Sequence, residues 1–227
     1  MRLNVRETAQ LLNVSTKTLY RWISNNKIPV FRINDQYRFL RSEILEWATI
    51  NRVSVKPEIF QEPKEETNPL PSLEQALETG GITYRLEGND RDKVLKSMVQ
   101  DLRLAPEVDK DQVYELIKIR ESLGSTGIGE GICIPHPRSP LIHNLSGPSI
   151  TLGFLEQPID FGALDGQPIS AMFVILSLTV RCHIHLLSRL VYALKDPGFR
   201  DIITQAGNRE SIMGELRRVE KSFIKEN

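Results

Sequence analysis

A chain of 227 residues, 40% hydrophobic and 26% charged, has room for two ordinary domains with a core each and is neither low-complexity nor disordered in composition. Its two cysteines, Cys133 and Cys182, are too few for a disulfide framework and suit a reducing compartment. The 29 basic and 29 acidic residues cancel overall, yet residues 1–53 hold nine basic against four acidic side chains, a net of +5, which leaves the remainder at −5. A basic module joined to an acidic one implies that only the first meets a polyanion. Residues 1–5 lack the apolar core of a secretion signal. The longest nearly apolar run, residues 171–180, is too short to span a bilayer. A cytoplasmic protein without a membrane segment is therefore expected.

Val5, Ala9 and Leu12 recur at helical spacing, which predicts a short first helix with one apolar face. Asn13-Val14 breaks it, and Ser15 is a good N-cap for a second helix. Leu19, Trp22 and Ile23 of that helix point inward, so Thr16, Lys17, Tyr20 and Arg21 point outward. Residues 28–33 and 37–40, separated by Asn34-Asp35-Gln36, read as a β-hairpin with Arg32 and Arg38 on its strands. Ser42 then caps a third helix to about Thr49, where Ile44, Leu45 and Trp47 close the core.

Two helices across a tight turn, with cations and hydroxyls facing out of the second, fit a major groove. Lys17 and Arg21 can reach phosphates or guanine edges, and Thr16, Thr18 and Tyr20 can add phosphate or base contacts. Arg32 and Arg38 would lie beside the duplex as a wing. The bland alternative is a small domain with a solvated basic face. The stretches ETAQLLNVSTKTLYRW, KIP and YRFLRSEILEW resemble the winged helix-turn-helix of the excisionase and MerR-type families over about residues 1–50. That resemblance implies DNA as a partner. A single such module usually needs a second copy for affinity, which leaves a homo-oligomer open.

Residues 55–71 carry Pro57, Pro63, Pro69 and Pro71 around a charged middle, so neither helix nor strand should persist. The expected organisation is a winged helix-turn-helix at 1–53, a semi-extended linker at 54–71 and a second domain at 72–227. In that domain 72–79 reads as helix, 82–86 as strand, and 90–104 and 109–122 as helices. Residues 132–135, 149–154 and 169–177 read as strands. Residues 183–194 form a helix that Asp196-Pro197-Gly198 stops, and 209–222 is the last helix. The alternation predicts an α/β sandwich with a mixed central sheet flanked by helices.

RESLGSTGIGEGICIPHPRSP, residues 120–140, is the most informative stretch. Gly124, Gly127, Gly129 and Gly131 let backbone N–H groups approach a ligand, and a short strand delivers His136 between Pro135 and Pro137. Those prolines stiffen the chain around one imidazole, which, if oriented and reachable, can act as a nucleophile toward phosphorus. No Gly-Lys-Ser/Thr follows the glycines, so this is not a P-loop. The glycines precede a strand rather than follow one, unlike a dinucleotide fingerprint. Cys133 and Cys182 belong to no CxxC pair, and buried thiols describe them better than metal ligands.

The blocks RESLGSTGIGEGICIPH, QPIDFGALDGQPISAMFVIL and HIHLLSRLVYALKDPGFRDII resemble, in order, the fructose/mannitol/nitrogen-type IIA component of the phosphoenolpyruvate:sugar phosphotransferase system. The resemblance covers residues 72–225. It implies that His136 accepts a phosphoryl group from an HPr-like phosphocarrier, that Arg120 is the active-site arginine, and that His183, opening its helix, is the second active-site histidine. No metal and no cofactor are implied. Relatives often carry glycine or alanine after the histidine, whereas Pro137-Arg138 follows here, which would alter how a carrier docks. His185 faces elsewhere on the helix, and His143, in a loop, has no assigned role. The expected function is a phosphotransferase-linked regulator of transcription. Two alternatives stay open: a phosphocarrier passing phosphate to a sugar-specific IIB partner, and a nitrogen-type regulator acting on enzymes by protein–protein contact.

Overall fold

The computed structural model describes residues 2–25, 27–33, 36–51, 53, 69–138, 145–163 and 165–223. The hairpin turn at Asn34-Asp35, nearly all of the expected linker and His143 lie outside them. The chain divides into two units, Met1–Pro69 and Leu70–Asn227.

The first unit runs β1 (Arg2–Leu3), α1 (Val5–Leu11), α2 (Thr16–Ser24), β2 (Phe31–Ile33), β3 (Gln36–Leu40) and α3 (Arg41–Ile50). Asn4 and Glu7 close α1 with a capping box, each side chain taking the other's backbone N–H. Asn13 adopts φ 51°, a left-handed turn that asparagine tolerates. Ser15 then caps α2 by accepting from Thr18 N at 3.1 Å. Leu12, Leu19 and Ile23 are buried with Phe39 and Ile44. One strand was not expected and one expected cap is corrected. β1 pairs antiparallel with β3, a contact between residues some forty positions apart that no local pattern announces. α3 begins at Arg41 directly after Leu40 of β3, so Ser42 lies inside the first turn rather than capping it.

The second unit runs α4 (Leu73–Gly80), β4 (Gly81–Leu86), α5 (Arg91–Asp101), α6 (Lys110–Ser122), β5 (Gly127–Gly129), β6 (Ile132–Cys133), β7 (Ser149–Ile159), β8 (Ile169–Leu176), α7 (Val180–Ala193), α8 (Pro197–Thr204) and α9 (Arg209–Phe223). Its sheet has the order β4-β7-β8-β6-β5. β4–β7 and β6–β8 are parallel while β5–β6 and β7–β8 are antiparallel, so the sheet is mixed, as expected. β8 is apolar on both faces because both are covered. Ala171, Phe173 and Ile175 pack toward α4, α7, α8 and α9, and Met172, Val174 and Leu176 toward α5 and α6.

Several boundaries differ from the sequence reading, among them the strand at 132–135, which ends at Cys133, and the helix at 90–104, which spans Arg91–Asp101. β7 continues past Phe154 to Ile159 across a register shift. Helix α7 starts at Val180 under a Thr179 cap, which places His183 one turn in rather than at its opening. Asp196-Pro197-Gly198 ends α7 but also starts α8, with Asp196 as N-cap and proline in the first turn.

Candidate functional site

Strand β6 ends at Cys133, and the chain beyond it is held from both sides. Ile134 N donates to Thr126 O at 3.1 Å, and Pro135 O accepts from Ile175 N of β8 at 3.2 Å. Proline supplies no N–H at position 135, so the segment leaves the ladder there. His136 follows, with Nδ1 2.7 Å from the carbonyl oxygen of Ile134. Its ring lies 4.8 Å from that of His183 between centroids, tilted by 46°. The two histidines singled out from the sequence are thus neighbours, although 47 positions separate them.

His136 is 1% exposed and His183 8%. One nitrogen of His136 is turned onto its own backbone, and the ring lies against that of His183.

Arg120 sits in the last turn of α6, half-buried, with Nη1 donating to Gly124 O at 2.9 Å. Its neighbour Glu121, which sequence reasoning passed over, is 3% exposed. The carboxylate accepts from Thr126 N at 2.9 Å and from Thr126 Oγ1 at 2.7 Å. These contacts close the loop between α6 and β5. Gly124 at φ 148° and Gly129 at φ 97° take backbone conformations that favour glycine. Burial, and then the Glu121 carboxylate, push the Cys133 thiol well above its ordinary value. It therefore stays protonated and is a poor nucleophile or metal ligand. Cys182 is buried as well.

In the first unit Thr16, Lys17, Tyr20 and Arg21 are exposed on α2, with Lys17 and Arg21 on the face opposite Leu19 and Ile23. Thr18 is half-buried, and its hydroxyl lies 3.0 Å from Ser15 Oγ, so it helps build the cap. The rings of Tyr20 and Tyr37 meet edge to face at 6.1 Å, joining α2 to the hairpin. Arg32 Nη2 donates to the Tyr37 hydroxyl at 2.7 Å, with its guanidinium 4.7 Å from the ring centre. Arg38 donates to Gln36 Oε1 at 2.6 Å and to Tyr37 O at 3.0 Å. Both arginines named from the sequence thus stand on the hairpin, braced by Tyr37 and Gln36.

Among the described residues no helix is long and apolar enough to cross a membrane. A helix-turn-helix domain model matches residues 2–51. A nitrogen regulatory protein of Pseudomonas aeruginosa is 34% identical over 143 residues, 62% of this chain and 91% of that protein. A fructose-specific EIIABC component of the phosphotransferase system of Bacillus subtilis is 33% identical over 143 residues, 62% of this chain but 22% of that protein. The crystal structure of nitrogen regulatory protein IIA-Ntr from Neisseria meningitidis aligns with a TM-score of 0.53 at 25% identity, covering 60% of this chain and 92% of that one. Residues 75–219 match the EIIA 2 model of the phosphoenolpyruvate-dependent sugar phosphotransferase system, and the chain belongs to that family, with a helix-turn-helix domain ahead of the family's own fold.

Proposed function

We propose that this protein is a phosphotransferase-linked regulator of transcription: an HPr-like phosphocarrier phosphorylates His136, and the helix-turn-helix binds DNA. The observation that carries the reading is the 2.7 Å contact of His136 Nδ1 with the Ile134 carbonyl. A carbonyl only accepts, so Nδ1 bears the hydrogen and the lone pair sits on Nε2. Nε2 attacks the phosphorus of the carrier's phosphohistidine. A new N–P bond forms as the carrier's N–P bond breaks, and the bonding pair leaves on the carrier imidazole. The Nδ1 hydrogen stays where it is throughout.

Transfer of this kind depends on positioning and charge stabilisation. Arg120, by its fork of donors, is assigned to the equatorial oxygens. His183 is assigned a further hydrogen bond. It lies in the N-terminal part of α7, whose first turn holds Arg181 and no acid, and a helix N-terminus favours an arriving anion.

The phosphoryl group adds about −1.5 to −2 charges to the unit joined to the basic helix-turn-helix. In this reading that charge biases DNA binding. The fructose-specific relative supports a second reading, in which His136 passes its phosphate to a IIB partner. The helix-turn-helix and the nitrogen regulatory relative favour regulation. The test is incubation with phosphoenolpyruvate, enzyme I and HPr, followed by intact mass of wild type and His136→Ala. A single phosphate adduct on wild type alone is expected, and no adduct on wild type would overturn the reading.

A further inference from the structure

The His136 imidazole is the end of a connected set of hydrogen bonds that starts at a buried carboxylate. Glu121 is 3% exposed and Thr126 is 3% exposed, and both oxygens of Glu121 are engaged by Thr126, one by its N–H and one by its hydroxyl. Thr126 O accepts from Ile134 N, at 3.1 Å. The carbonyl of that same Ile134 receives His136 Nδ1–H at 2.7 Å. Four residues from three stretches of chain thus fix which nitrogen of His136 holds the hydrogen. A buried carboxylate is costly to keep without partners, and hydrogen bonds to an ionised acceptor are about twice as strong as neutral ones. The Glu121–Thr126 contact is therefore the firmest point of the loop between α6 and β5. The preceding residue, Arg120, also holds that loop through Gly124 O.

We infer that Glu121 and Thr126 are positioning residues for phosphoryl transfer, holding His136 in the Nδ1–H form that leaves Nε2 as the acceptor. The inference rests on the reading of His136 as the phosphoryl acceptor. Neither residue touches the phosphoryl group; both act through Ile134. Without the clamp Thr126 O no longer fixes the Ile134 N–H, the bond of Pro135 O to Ile175 N is the hold that remains, and the Ile134 carbonyl shifts away from Nδ1–H. The ring then interconverts between tautomers, and the form with its lone pair on Nδ1 points that lone pair toward Ile134 rather than toward a donor. A group that orients a histidine through its other nitrogen commonly sets which nitrogen reacts.

The test uses the full-length protein as wild type, Glu121→Gln, Thr126→Val and Thr126→Ser, each checked for a cooperative thermal transition. Long-range proton–nitrogen NMR of the unphosphorylated protein reads the His136 tautomer, with His136→Gln assigning the signals. The wild type and Thr126→Ser, which keeps the hydroxyl, should show the Nδ1–H form alone. Folded Glu121→Gln and Thr126→Val should show a mixture and accept phosphate from HPr about tenfold more slowly, about 1.4 kcal/mol in barrier. An Nε2–H form in wild type would overturn the inference, as would wild-type tautomer and rate in both folded variants. Should Thr126→Val not fold, Glu121→Gln decides by the same readouts. If the tautomers behave as stated but wild type takes no phosphate, the phosphoryl-acceptor reading fails and the positioning of the ring stands.

Discussion

Replacing Lys17 and Arg21 together by glutamine tests whether α2 meets a nucleic-acid backbone. Both side chains are exposed on the face opposite Leu19 and Ile23, so the double variant should fold as well as wild type, exposed substitutions usually costing within about 0.5 kcal/mol. If Lys17, Arg21, Arg32 and Arg38 each neutralise one phosphate, log K falls with log salt at a slope of about −3.6, from about −0.9 per phosphate. A rise from about 50 to about 200 mM salt then weakens wild-type binding about 150-fold. With Lys17 and Arg21 gone the slope halves to about −1.8, and the same rise weakens binding about 12-fold. Fluorescence anisotropy with a labelled mixed-sequence duplex, titrated at four or five salt concentrations, reads both slopes. A folded variant with an unchanged slope would refute the assignment of α2 to DNA.

Gly80 and Gly214 offer a paired test of the second unit's packing. A Cβ on Gly80 would stand 2.2 Å from the carbonyl oxygen of Ile150 in β7, whereas one on Gly214 meets nothing within 4 Å. Gly80→Ala should lower the urea stability by about 1–3 kcal/mol or more, while Gly214→Ala, in α9, should raise it by about 0.5–1 kcal/mol. Equal effects from the two would contradict the close approach of α4 to β7. His185, whose Nε2 lies 3.0 Å from Pro71 O, has its pKa lowered from 6.5 by burial and then by Arg189. The unfolded chain therefore binds the proton more readily, and stability should fall as pH drops below about 6.5 toward the folded value. His185→Gln should flatten that dependence in melts between about pH 7 and about pH 5, and an unaltered pH profile would count against it.

What local chemistry dictates was legible before any coordinates. Ser15 marks a helix start as a capping residue should, and the apolar runs of β7 and β8 mark the strands of the sheet interior. The failures share a cause, which is that the deciding contact is distant in sequence or serves two elements. Arg2–Leu3 is a strand only because β3 lies beside it. Val180 continued an apolar run from β8, so the start of α7 was placed three residues late; the Thr179 cap was the signal overlooked. Asp196-Pro197-Gly198 reads as a stop, although aspartate followed by proline is equally a helix start. At the candidate site the sequence brought out His136, Arg120 and His183, and the structure sets the two histidines side by side. It could not show that the His136 ring turns one nitrogen onto the Ile134 carbonyl, since one residue after a short strand has no periodicity to read. Glu121 was equally hidden, because a carboxylate beside an active-site arginine acquires its role only when Thr126 folds back onto it.

In the proposed function the DNA-binding unit reports the phosphorylation state of His136. This is tested most directly by a gel shift at fixed salt on one duplex, comparing fully phosphorylated, unmodified and His136→Ala protein. Phosphorylated protein should differ in affinity from the other two, which should match each other. Identical affinities for phosphorylated and unmodified protein would contradict it.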